Sequence, residues 1–77
     1  MTVAYVLMKC ELGAEEEVTE KLKEMEEVVW VDQTYGAYDL LAKIEAGNIE
    51  KLKELLTWNI QKMDKIRSTL TVNRKEQ

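Results

Sequence analysis

Apolar residues run almost unbroken at the start of the chain and recur at wider, regular intervals after it, and this change of rhythm marks out the elements. Residues 2–10, Thr-Val-Ala-Tyr-Val-Leu-Met-Lys-Cys, are rich in β-branched and aromatic types and read as a strand. Gly13 breaks the pattern, and residues 14–25 read as a helix. Val18, Leu22 and Met25 share one of its faces, while Glu15, Glu16 and Glu17 occupy its first turn, where the helix dipole favours negative charge. Residues 28–35 read as a second strand, Gly36-Ala37 as a turn, and residues 38–45 as a third strand, so the pair forms a hairpin. Gly47-Asn48 opens a second helix with Asn48 as its N-cap, and Ile49, Leu52, Leu56, Ile60 and Met63 mark its buried stripe. Residues 66–73 read as the last strand and residues 73–77 as a polar tail.

The order β-α-β-β-α-β is the ferredoxin-like pattern of two split βαβ units. It predicts an α+β sandwich, one domain over residues 1–77, with a four-stranded antiparallel sheet and two helices on one face. Right-handed crossovers place the first and third strands in the centre and leave the other sheet face bare. A sheet with one face in water should alternate apolar and polar residues. The last strand does so, with Ile66, Ser68, Leu70 and Val72 between Arg67, Thr69, Thr71 and Asn73. The first strand does not: Val3 to Met8 are apolar on both faces. The third strand has Leu40, Ala42 and Ile44 on one face and Leu41 beside Asp39 and Lys43 on the other. Apolar excess in the central strands predicts a homodimer through the bare face. A monomer with scattered exposed apolar residues is the plainer alternative.

Composition narrows the chemistry. The chain has 77 residues, a net charge of −4, no histidine and one cysteine, Cys10. A small core without disulfide pairs again favours oligomerisation. The acidic balance argues against direct nucleic-acid binding, so Arg67, Arg74 and Lys75 read as solvated charges. The amino-terminal apolar run is too short to span a membrane and lacks a charged leader, and a lone thiol fits a reducing compartment. A cytoplasmic location with no membrane partner is the expectation. Neither phosphate-binding glycine motif, G-x-x-x-x-G-K or G-x-G-x-x-G, is present, and neither a Ser/His nor a Cys/His arrangement can form without histidine. No enzyme activity, cofactor or metal is expected. The helical carboxylates fall among lysines as solvated pairs, Cys10 reads as a small buried hydrophobe, and Trp30 and Trp58 read as packing or interface residues.

One segment stands out: Thr34-Tyr35-Gly36-Ala37-Tyr38-Asp39-Leu40. Gly36 has a structural explanation in a tight turn. Asp39 opens a central strand, where aspartate is disfavoured. It either caps a turn backbone or accepts a hydrogen bond from a ligand or a neighbouring subunit. The topology brings Gly36 to Asp39 near Lys9, Cys10, Arg67 and Ser68, a set able to read an ammonium and a carboxylate.

At this hairpin the sequence resembles the effector-binding (RAM) domain of the Lrp/AsnC regulators. The likeness also runs through Val3 to Lys9, Gly13-Ala14-Glu15, Val28 to Val31, Gly36 to Lys43 and Ile66 to Thr71. The G-x-Y-D element is its most specific part. The resemblance implies dimers through the open sheet faces, assembly into a ring of dimers, and amino-acid effectors bound between dimers. Carried over by position, it implies ligand contacts from Gly36, Ala37, Tyr38 and Asp39, with Ser68, Thr69 and Thr71 contributing from the last strand or a neighbouring subunit. It also implies co-assembly with full-length Lrp/AsnC relatives in transcription regulation. The sequence departs from the family in two places. It shows no helix-turn-helix pattern, and Met25-Glu26-Glu27-Val28 stands where a Pro-Gly-Val turn is common, which should alter the helix end. Two rivals stay open: a small dimeric ferredoxin-like enzyme of the monooxygenase or isomerase type, which needs a polar cavity between helices and sheet, and a purely structural assembly module.

Overall fold

The computed structural model describes residues 1–73, except for the side chain of Asn73. Strand β1 (Thr2–Cys10) leads to helix α1 (Glu15–Lys23), then β2 (Val28–Gln33) and β3 (Leu40–Ala46). Helix α2 (Ile49–Glu54) runs directly into a π-helical segment (Leu55–Ile60), and β4 (Ile66–Asn73) closes the order. The four strands lie in the order β2-β3-β1-β4, all neighbours antiparallel. The ferredoxin-like expectation, with β1 and β3 central, therefore holds.

The helices form where the sequence places them, with differences at their ends. Gly13, at a φ of 81°, turns the chain out of β1, and its N–H donates to Glu15 Oε1 at 3.2 Å. Helix α1 stops at Lys23, two residues short of the predicted end. The Met25 N–H bonds to the Leu22 carbonyl and the Val28 N–H to the Met25 carbonyl, so tight turns do the work of the missing Pro-Gly-Val. Asn48 caps α2 as predicted, its side-chain oxygen accepting the Lys51 N–H at 2.8 Å. The π-helical continuation was not predicted. The Gln61 N–H reaches the Leu56 carbonyl, five residues back, and this wider winding aligns Leu55 with Ile60 over the sheet. Ile49, predicted to be buried, is 38% exposed at the start of α2.

The core lies between the helices and one face of the sheet. Ala4, Val6 and Met8 of β1 and Leu40, Ala42 and Ile44 of β3 meet Val18, Leu22, Leu52 and Ile60 there, all essentially without solvent contact. Among the described residues no buried residue is polar or charged.

Strand β4 departs from the reading of its alternation. Ser68, Leu70 and Val72 pair with Lys9, Leu7 and Tyr5, so they share the face turned away from the helices. Leu70 is 46% and Val72 53% exposed there. Thr69 and Thr71 pair with Met8 and Val6 on the helix side. The cause is a bulge at Lys9/Cys10, where Cys10 pairs with Ile66 and Arg67 becomes the extra residue. Ile66 thereby reaches the core while the rest of the strand shows its apolar side to the open face.

That open face carries one row of Val72, Tyr5, Lys43 and Trp30 and another of Leu70, Leu7, Leu41 and Asp32. The Tyr5 and Trp30 rings lie 6.3 Å apart, and Lys43 Nζ sits 3.7 Å from Glu45.

Truncating a core residue should be costly and truncating an exposed loop residue should not. Urea unfolding at a fixed chain concentration should show Ile60→Ala losing about 2–5 kcal/mol. Leu12→Ala, at a fully exposed site, should stay within about 0.5 kcal/mol of the parent. Equal losses from both would contradict this placement of the core.

Candidate functional site

The β2–β3 connection is longer than the predicted turn. Strand β2 ends at Gln33 and β3 begins at Leu40, so residues 34–39 form a loop. The Thr34 N–H bonds to the Asp39 carbonyl at 2.9 Å, and the Thr34 hydroxyl donates to the Tyr38 carbonyl at 2.6 Å. These bonds close the loop neck. Gly36 turns its crest at a φ of 111°, a conformation strained for any side chain. Among the described residues the N–H groups of Gly36, Ala37 and Tyr38 have no protein acceptor.

Asp39 precedes β3 instead of opening it. Its N–H donates to the Met8 carbonyl at 2.8 Å, and its carboxylate Oδ2 accepts the Cys10 N–H at 2.8 Å. The β1–β3 ladder ends at Met8–Leu40, two residues before Cys10. Asp39 thus supplies the acceptor that the ladder no longer offers Cys10. Its other oxygen accepts nothing among the described residues. The sequence alternatives were a cap on a turn backbone or a donor from a ligand or neighbouring subunit. The observed bond caps the neighbouring strand with one oxygen and leaves the other open.

This end of the sheet forms an open cleft of about 480 Å³ lined by Lys9, Cys10, Ala37, Asp39, Arg67 and Ser68. Among the residues predicted to bind a ligand, the cleft gathers Ala37, Asp39 and Ser68. Gly36 stands at the loop crest, and the Tyr38 ring lies under Lys9 Nζ, 5.8 Å from it. Thr69 lines a neighbouring depression with Gln61, Ile66, Arg67 and Ser68. Thr71 lies farther along β4, opposite Val6, apart from the hairpin. The predicted contacts left out Lys9 and Arg67, although strand topology already brought both to this end. The missed signal was the bulge, which frees Arg67 from the strand pairing. Among the described residues, no cluster of at least three His, Cys, Asp or Glu could hold a metal.

Cys10 is buried at the cleft floor. Its thiol is pushed up from 9.0 to about 11, first by burial, then by the negative charges of Asp39 and Glu15. It is a packed thiol held neutral, in keeping with its reading as a small hydrophobe.

The family model of the Lrp/AsnC ligand binding domain matches residues 3–73, nearly the whole chain. The chain belongs to that family. This Lrp/AsnC domain is 39% identical over 54 residues to the HTH-type transcriptional regulator FL11 of Pyrococcus furiosus, a match covering 70% of the chain and 36% of the regulator. It thus spans about a third of the length of that relative. The crystal structure of FFRP-DM1 superposes with a TM-score of 0.96 at 39% identity, covering 97% of this chain and 100% of that one. The fold also matches a transcriptional regulator of Neisseria meningitidis solved as an L-Met complex, with a TM-score of 0.88 at 10% identity, over 97% of this domain and 50% of that chain. Among the described residues no helix is long and apolar enough to cross a membrane.

The raised Cys10 thiol has a measurable signature. At pH 8 its thiolate fraction is about a hundredfold below that of an unshifted thiol, so iodoacetamide should label the native domain far more slowly than the urea-unfolded chain. The native state also keeps the proton that the unfolded chain releases. Stability should therefore fall as pH rises from 9.0 towards about 11, and Cys10→Ser should flatten that fall. Equal labelling rates, or identical pH profiles, would contradict the assignment.

Proposed function

We propose that this Lrp/AsnC domain is a non-catalytic effector-binding and oligomerisation domain, an accessory of transcription regulation in the cytoplasm. The observation that carries the reading is the polar cleft at the hairpin in a chain of a ligand-binding family. Free loop amides and the unpaired Asp39 oxygen offer partners to both ends of an amino acid. The L-Met complex of a regulator with the same fold supports the size and class of ligand. Gly36, Ala37, Tyr38, Asp39 and Ser68 contact the effector from this subunit, and Thr69 and Thr71 take part at the junction with a neighbour.

The domain pairs through its open sheet face into a homodimer, and dimers assemble further into a ring. The exposed Leu70 and Val72, flanked by Leu7 and Tyr5, support that pairing. The apolar interior between helices and sheet supports a non-catalytic role over the enzyme alternative. The mechanism is linkage. An effector that binds one assembly state better shifts the population toward it, and co-assembly with full-length relatives would pass that shift to their DNA binding.

The test is titration with a pool of amino acids at millimolar concentration. At least one should raise the melting temperature and shift the sedimentation profile. At a ligand concentration 100 times its dissociation constant the added stability is about 2.7 kcal/mol. A pool that changes neither readout overturns the effector-binding reading.

A further inference from the structure

The charges of the hairpin cleft do not balance for a neutral amino acid. Its lining holds two cationic side chains, Lys9 and Arg67, and one carboxylate, Asp39. Both cations are exposed. The Arg67 side chain makes no hydrogen bond or ion pair among the described residues, and the bulge makes Arg67 the extra residue opposite Lys9 and Cys10. Lys9 has only the face of the Tyr38 ring at 5.8 Å. Two other acids of this end, Glu11 beside Cys10 and Glu15 whose charge acts on its thiol, are engaged elsewhere. Glu11 faces Lys65 Nζ at 3.8 Å, and Glu15 accepts the Gly13 N–H.

An amino acid presents one ammonium and one carboxylate to any site. The free oxygen of Asp39 suits the ammonium, and the unpaired amides of Gly36, Ala37 and Tyr38 suit the carboxylate. With both ends matched, the two cations remain without an anion. A guanidinium offers a planar fork that fits a second carboxylate through two parallel hydrogen bonds, and charge-assisted bonds of this kind are the strong ones.

We propose that Arg67, assisted by Lys9, makes this cleft selective for amino acids with an acidic side chain, of the aspartate and glutamate class. The proposal rests on the reading of the cleft as an amino-acid site and adds the ligand class. Basic side chains meet repulsion from the same cations. Neutral ones leave them unpaired. Arg67 is the specificity-determining residue, and Asp39 with the loop amides serves any amino acid.

The experiment is calorimetric titration of the full chain with L-glutamate, L-aspartate, L-glutamine, L-leucine and L-lysine, each on the parent and on Arg67→Gln and Lys9→Gln. Both variants change exposed side chains outside the core, so they should fold like the parent. Glutamate or aspartate should bind the parent about tenfold or more tightly than glutamine. Arg67→Gln should remove that preference while glutamine affinity stays unchanged, and Lys9→Gln should reduce the preference partly. Glutamine, leucine or lysine binding as tightly as the acidic pair overturns the proposal and leaves the amino-acid site standing. An unchanged glutamate-to-glutamine ratio in Arg67→Gln overturns it too. If no amino acid in the panel binds, the acidic selectivity is overturned, and the pooled titration decides the amino-acid reading separately.

Discussion

Everything in this molecule follows from a sheet covered on one side only. Right-handed crossovers put α1 and α2 over the same face, and among the described residues no further element covers the other. The covered face is a dry core of Met8, Leu22, Leu40, Ile44, Leu52 and Ile60. The open face is apolar as well, with Leu7 and Leu70 in one row and Tyr5, Val72 and Trp30 in the next. Half-exposed apolar rows across central strands cost free energy in water, and removing them from solvent is worth about 25 cal/mol per Å². A standard contact hides about 800 Å² on each partner. A second copy would supply an apolar face of the same kind, and the proposed assembly states grow from that need.

The site belongs to the same architecture. Strand β1 must end where β3 and β4 begin, and it ends irregularly. The bulge in its pairing with β4 leaves Arg67 as an extra residue, and the end of the β1–β3 ladder at Met8–Leu40 leaves the Cys10 N–H without a ladder partner. Asp39 supplies that partner through its side chain, so a residue with charge to spare is fixed at the end of the sheet. The Thr34–Tyr38 and Thr34–Asp39 bonds then close the loop, whose amides at Gly36, Ala37 and Tyr38 have no protein acceptor among the described residues. The bulge on the β4 side and the Asp39 bonds on the β3 side thus bring the cations and the carboxylate to the same end of the sheet.

Most of the fold was legible in the sequence because it is written in short-range patterns. The unbroken apolar run of β1, the Asn48 cap and the Leu52, Leu56 and Ile60 spacing each read directly. The hairpin length was not legible. Thr34, Tyr35 and Tyr38 are good strand formers, but the side-chain bonds of Thr34 and Asp39 compete with the ladder there. The facing of β4 was hidden for a related reason. Alternation tells which residues share a face but not which face that is, and a single bulge in the pairing reverses the answer. The π-helical segment escaped because leucines four apart suit an α-helix equally well. At the site, Ala37, Asp39 and Ser68 were legible from topology. Arg67 looked like a solvated charge because its freedom comes from pairing geometry, which no local pattern encodes.

The central claim is that the open sheet face is covered by another copy of the chain. Sedimentation equilibrium over a wide range of concentrations measures this most directly. The account predicts particles of at least twice the 9.0 kDa chain mass at micromolar concentration, reduced to single chains by a Leu7→Glu and Leu70→Glu double substitution. A parent protein that sediments as single chains at every concentration would contradict it.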